Sequence, residues 1–168
     1  IRNGIGYISK DRDTEALILS ASIADNIVFP SLDTLSNKSF IDPRKEKKLV
    51  KKEVDRYLIK CNSPKQLVST LSGGNKQKVS FAKWTAKDSD VIIMDCPTRG
   101  VDIGVKQAMY AFIAQMKRDG KAILLISEDL SELIGMADKI IILKDFSVSG
   151  EFMRSPDLKE TDIIGSMI

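Results

Sequence analysis

The sequence predicts an α/β chain built on a parallel sheet. Solid apolar runs at residues 91–94, 122–126 and 140–143 read as strands, and helical spacing fills the intervals between them. Apolar runs without polar alternation suit strands covered on both faces, and strand–helix–strand order makes the sheet parallel.

The elements follow in order along the chain. Ile5, Gly6, Tyr7 and Ile8 read as a short strand running into a polar stretch from Ser9 to Asp13. Residues 16–29 are mixed and apolar, with a helical turn expected at 22–26, and a polar loop rich in Ser, Asn and Asp leads to Pro43. Val50, Val54, Tyr57, Leu58 and Cys61 then fall at the spacing of an amphipathic helix over residues 44–61. Its other side carries Lys45, Lys47, Lys48, Lys51 and Lys52, read as a solvated face. Val79, Phe81, Ala82 and Trp84 mark a helix after the glycines at 73 and 74. Residues 104–118 form the next helix, stopped at Asp119 and Gly120. A short helix is expected at 130–136, a fourth strand at 147–151 after a turn, and a closing helix at 157–167 with Ser155 and Pro156 near its start.

Composition bounds what this chain can do. Its 168 residues suit one domain, and 43% hydrophobic with 29% charged residues supports a core. A net charge of +3 from 26 basic and 23 acidic residues is too balanced to argue for nucleic acid. No run of 18 apolar residues is present, so no membrane span is expected. The first residues carry no apolar leader core, and Ile1 in place of Met suggests a piece of a longer chain. Cys61 and Cys96 lack metal-clip spacing and fit a reducing, cytosolic setting. With no histidine at all, His-based acid–base catalysis, a Ser-His-Asp triad and His-ligated metal are excluded.

Two groups of residues point to chemistry. Leu71, Ser72, Gly73, Gly74, Asn75, Lys76 and Gln77 place a hydroxyl and exposed amides at a helix start, a ready anion site. The plainer reading is a loop with Ser72 as helix cap. Asp95 ends an apolar strand, as P-loop ATPases present an aspartate to Mg²⁺; the plainer reading is a turn residue. The strand follows the Ser-Gly-Gly motif by about twenty residues and precedes Pro97, Thr98, Arg99, Gly100, Val101 and Asp102, and that order favours the functional readings.

Taken together, LSGGNKQK at 71–78, MDCPTRGVDIGVK at 94–106 and LLISEDLSEL at 124–133 resemble the second nucleotide-binding domain of sugar-importer ABC ATPases, of the ribose and galactose type and their nucleoside-importing relatives. The opening GYISKDR at 6–12 resembles that family's GYVPEDR, so the likeness spans nearly the whole chain. It implies that Ser72, Gly73 and Gly74 meet the γ-phosphate of ATP held by a facing domain, with Leu71 and Asn75 to Gln77 completing the signature motif. It implies that Asp95 orients Mg²⁺ through water, that Asp102 lines the seam between domains, and that Lys10 stands where ligand binding is sensed.

The family pattern is broken in three places. No G-x-x-x-x-G-K-[ST] occurs, so the chain alone is expected to bind ATP poorly and to be inactive. Cys96 stands where the family has its catalytic glutamate, and Glu128 where a switch histidine would fall. The resemblance therefore implies a truncated ABC-type core whose P-loop strand is missing, leaving an apolar strand edge open. A helical signature subdomain at 22–88 would be set into an α/β core of 1–21 and 89–168. It further implies ATP and Mg²⁺ used with the first nucleotide-binding domain, permease subunits as partners, no nucleic acid, and a cytoplasmic place on the inner face of the membrane. The rival readings are a non-catalytic interaction or regulatory piece and a DNA-associated ABC-type ATPase head. The second lacks coiled-coil heptads here.

Overall fold

The computed structural model describes residues 3–37 and 40–168; residues 1 and 2, and residues 38 and 39 of the expected loop, lie outside it. It divides into two compact units, one running to Leu124 and one from Leu125 to Ile168.

In chain order the first unit holds β1 (Ile5–Ile8), α1 (Ile23–Val28), α2 (Leu32–Leu35), β2 (Ser36–Asn37), β3 (Phe40–Ile41), α3 (Pro43–Arg56), α4 (Gly73–Ala86), β4 (Val91–Asp95) and α5 (Ile103–Arg118), and ends within β5 (Ala122–Ile126). The main sheet has the order β1-β4-β5. β1 runs parallel to β4, from Ile5 opposite Val91 to Ile8 opposite Met94. The stretch before Pro43, expected as loop, instead carries α2 and the small antiparallel pair β2–β3.

The expectation of strands covered on both faces is corrected for β5, where Leu124 and Ile126 are exposed, whereas no residue of β4 is exposed. Ile8, Ile92 and Met94 are buried, whereas Ile5, Tyr7 and Leu124 are exposed. On the side of Gly6 and Ile8, α4 packs on β1, and a Cβ on Gly6 would lie 3.1 Å from the Trp84 ring.

The helices begin where local chemistry satisfies their free amides. Ser22 and Asp25 form a capping box on α1, and Asp42 caps α3 with Pro43 in its first turn. α5 stops at Asp119, followed by Gly120 at φ +83°, a conformation cheap only for glycine. Val28, Leu35 and Val50 join α1, α2 and α3 in one apolar cluster. Tyr57, fully buried at the end of α3, meets the rings of Phe81 and Phe112.

The second unit holds α6 (Leu130–Met136), β6 (Lys139–Lys144), β7 (Ser147–Met153) and α7 (Glu160–Ile164). β6 and β7 pair antiparallel in a sheet of their own, so the reading of 140–143 as a further parallel strand is corrected. The turn explains it. Asp145 and Phe146 alone join the strands, at φ +47° and +62°, and a two-residue turn can link only antiparallel neighbours. Ile140, Ile142 and Ile163 form this unit's core, and its last helix is shorter than the 157–167 expected. Among the described residues no helix is long and apolar enough to cross a membrane.

Glu53 is the anomaly in the first unit's interior. Its side chain is 0% exposed, neither carboxylate oxygen has a hydrogen bond, and Lys52 Nζ stands 3.6 Å from Oε1. Burial raises its pKa above 4.5, so the folded chain holds this proton more tightly than the unfolded chain. That contribution is complete below the unfolded value and is lost as pH rises through the folded one. Glu53→Met is therefore expected to stabilise the chain at pH 7 by about 1–3 kcal/mol, with the gain shrinking toward pH 4. Urea unfolding at both pH values checks this; an equal gain at both would show that ionisation of Glu53 is not the cause.

Candidate functional site

α4 differs from the other principal helices at its first turn. Ser22, Asp42, Asp102 and Asp129 each accept backbone N–H groups at the starts of α1, α3, α5 and α6. Ser72 occupies the cap position of α4 but makes no capping bond with its side chain. Its Oγ accepts instead from Asn75 Nδ2 at 3.1 Å, while Asn75 Oδ1 accepts from the Lys60 amide at 3.0 Å. Ser72 is exposed and Gly73 and Gly74 half-buried, and the first amides of α4 have no capping side chain.

The neighbours of this turn are fixed. Leu71 and Gln77 are buried, and Lys76 pairs with Asp13 at 3.0 Å. A Cβ on Gly73 would lie 2.8 Å from Arg12 Nη2, and one on Gly74 2.8 Å from Val105 Cγ2. Glycine at both positions lets the helix start lie against Arg12 and α5. Lys83 holds the same helix further along, donating to the Ala16 carbonyl at 2.8 Å beside the Phe29 and Trp84 rings, and burial lowers its pKa.

The second group lies at the end of β4. Asp95 Oδ2 accepts a long hydrogen bond from the Tyr7 hydroxyl at 3.4 Å. Cys96 follows, buried, with a left-handed φ of +43° that β-carbon-bearing residues adopt at a cost. Arg12 connects the two groups: its guanidinium donates to the Arg99 carbonyl at 3.2 Å and the Gly100 carbonyl at 3.4 Å while lying against Gly73. Arg12 sits in a turn (Arg12–Ala16) capped by Asp11, whose carboxyl is held below its ordinary pKa chiefly by hydrogen bonds from Thr14. Lys10, Tyr7, Asp13, Asp95 and Arg99 line one open cleft.

Two further expected residues lie at or next to helix caps. Asp102 accepts the Val105 amide at 2.9 Å as the cap of α5. Glu128 belongs to the second unit, where it is exposed and directly precedes Asp129, the cap of α6. The motif reading assigned no part to Tyr7, Arg12 or Arg99. All three stood inside its motifs, but the tie of Tyr7 to Asp95 needed the β1–β4 register, which puts Tyr7 opposite Ile93.

The residues present fit a phosphate and, more loosely, a magnesium ion. An uncapped helix start beside the exposed Ser72 suits an anion. No group of three or more Cys, Asp or Glu among the described residues could hold a metal. Asp95 alone suits Mg²⁺, which keeps several waters and binds through one or two carboxylates plus phosphate oxygens.

Comparison with known proteins follows the same lines. The chain is 39% identical over 160 residues to the ribose import ATP-binding protein RbsA of Bacillus licheniformis, covering 95% of this chain and 32% of that protein. It is 39% identical over 160 residues to the L-arabinose transport ATP-binding protein AraG of Geobacillus stearothermophilus, covering 95% and 31%. The chain thus spans about a third of the length of these curated relatives. Its fold matches the dimeric post-hydrolysis structure of the ATP-binding cassette MJ0796 bound to ADP and Pi, at a TM-score of 0.77 and 21% identity, covering 90% of this chain and 63% of that one. The ABC transporter family matches residues 1–99, more than half of the sequence, and the chain belongs to that family.

Proposed function

We propose that this chain is the signature-bearing part of a nucleotide-binding domain in a sugar importer, completing an ATP site whose P-loop lies on a partner domain. The uncapped start of α4 carries this reading: the helix presenting Ser72, Gly73 and Gly74 is left open where α1, α3, α5 and α6 are closed by side chains. Ser72 would donate its hydroxyl proton to the γ-phosphate, and Gly73 and Gly74 would bring backbone amides to it. Leu71, Asn75, Lys76 and Gln77 hold that turn in place. The names of the relatives support a sugar importer, and the MJ0796 cassette is itself dimeric.

Asp95 would orient Mg²⁺ through water at the chain's own, weaker site. There Cys96 offers no carboxylate to polarise water. Asp102 would line the seam between domains. Lys10, at the cleft rim, would lie toward the permease subunits, which are the further partners proposed along with the first nucleotide-binding domain. Residues 22–88 would act as the helical signature subdomain and 1–21 with 89–168 as core. The assembly would sit at the cytoplasmic face of the membrane, without contact to nucleic acid.

Isothermal titration with Mg-ATP tests the reading. The chain alone is expected to show no saturable binding. Addition of the P-loop-bearing partner domain is expected to give tighter nucleotide retention than that partner shows by itself. Micromolar binding by the chain alone, or no effect of the chain on its partner, would overturn it.

A further inference from the structure

The positive charge of the chain is concentrated on α3. That helix carries seven cations against three acids, a formal +4 on fourteen residues, which exceeds the +3 of the whole chain. Glu53, one of the three acids, is buried, and Asp55 is bridged by Lys51 at 2.6 Å. At 100° per residue, Arg44, Lys45, Lys47, Lys48, Lys51 and Lys52 share an arc of roughly 160°, opposite the side that carries Val50 and Glu53. All six are exposed. Among the described residues no carboxylate pairs with Arg44, Lys45, Lys47 or Lys48. Directly ahead of the helix stand two exposed apolar side chains, Phe40 at 81% and Ile41 at 42% exposure.

We propose that this face of α3, with Phe40 beside it, is a docking surface for an anionic lipid bilayer. Its chemistry favours lipid over nucleic acid. Five of the seven cations are lysines, hydrated point charges that adsorb to a diffuse anionic plane, whereas phosphate recognition at fixed geometry favours the arginine fork. These six cations form one straight face about 12 Å long, which lies flat on a surface. An exposed aromatic side chain at the end of such a helix suits the boundary between headgroups and acyl chains. The proposal is independent of the ATP reading, because no residue of α4 or of the β4 end takes part.

Co-sedimentation of the full chain with vesicles tests it. Binding is expected to vesicles of phosphatidylcholine with about one-third phosphatidylglycerol, not to phosphatidylcholine alone, and to weaken on going from low to high salt. Changing Lys47, Lys48, Lys51 and Lys52 to Gln is expected to lower the partition coefficient at least about a hundredfold. Changing Lys60, Lys65, Lys117 and Arg154 to Gln removes the same charge elsewhere and is expected to leave most of the binding. Circular dichroism confirms that both variants keep their helices, and Phe40→Ser, which leaves the charge intact, is expected to weaken binding on its own. Failure to bind the anionic vesicles at low salt, equal losses in the two charge variants, or tighter capture of duplex DNA than of vesicles at matched salt would each overturn the proposal.

Discussion

Replacing Ser72 with arginine is expected to cut ATP turnover at least about a hundredfold in an assembly of this chain with a P-loop-bearing partner domain. The substitution removes a hydroxyl donor from the open start of α4 and fills the approach to Gly73 and Gly74 with a long side chain. A single donor aimed at developing charge is commonly worth a factor of about 10²–10³. Ser72 is exposed and makes no cap bond, so the unfolding free energy should move by no more than about 0.5 kcal/mol. Paired measurements of phosphate release and urea unfolding separate the two effects. Turnover unchanged in a folded variant would remove Ser72 from the nucleotide site.

The largest effect on stability is expected at Tyr57. The side chain is 0% exposed; its ring lies 4.7 Å from that of Phe112 at 71° and 6.2 Å from that of Phe81 at 57°, and its hydroxyl meets that of Thr85. One side chain thus joins the end of α3 to α4 and α5. Tyr57→Ala leaves a ring-sized hole and is expected to cost about 3–5 kcal/mol, enough to leave a domain of ordinary stability only marginally folded. Tyr57→Phe keeps the packing and removes only the hydrogen bond to Thr85, whose hydroxyl still donates to the Phe81 carbonyl at 3.0 Å, for about 1 kcal/mol. Burial pushes the phenol up to about 12, so it stays protonated, and this difference should not change with pH across the neutral range. Chemical denaturation of both variants measures it. A loss under 2 kcal/mol for Tyr57→Ala would mean that the three helices do not depend on this contact.

What could be read in the sequence was whatever local chemistry decides. Asp119 and Gly120 end α5, and the amphipathic spacing placed Val50 and Tyr57 inside, although α3 stops at Arg56 rather than 61 and leaves Leu58, read with them, exposed. The signature stretch was readable because Gly73 and Gly74 are needed where they stand, against Arg12 and Val105. What escaped depends on distant partners. An apolar run such as Ala122–Ile126 looks the same whether one face or both are covered, and here Leu124 is left exposed. Asp145 and Phe146 lack the usual Asn-Gly signal of a tight hairpin turn, so the antiparallel pairing of β6 with β7 was missed. The part played by Arg12 was also hidden, because the Arg99 and Gly100 carbonyls it holds lie 87 and 88 residues away.

That separation has a kinetic side. The parallel pairing of β1 with β4 cannot form until all of α1 to α4 has been drawn between the two strands. Closing a flexible loop of that length costs about 4 kcal/mol in chain entropy before any sheet contact repays it. The helices need no such closure, since α1, α2 and α3 lie close in sequence and bury a cluster of their own at Val28, Leu35 and Val50. Folding should therefore start in the helical segment, which brings the ends of the intervening chain together and makes β1–β4 zippering a late event. Tyr57, Phe81 and Val50 would then set the rate at which the strand-end carboxylate Asp95 meets Tyr7.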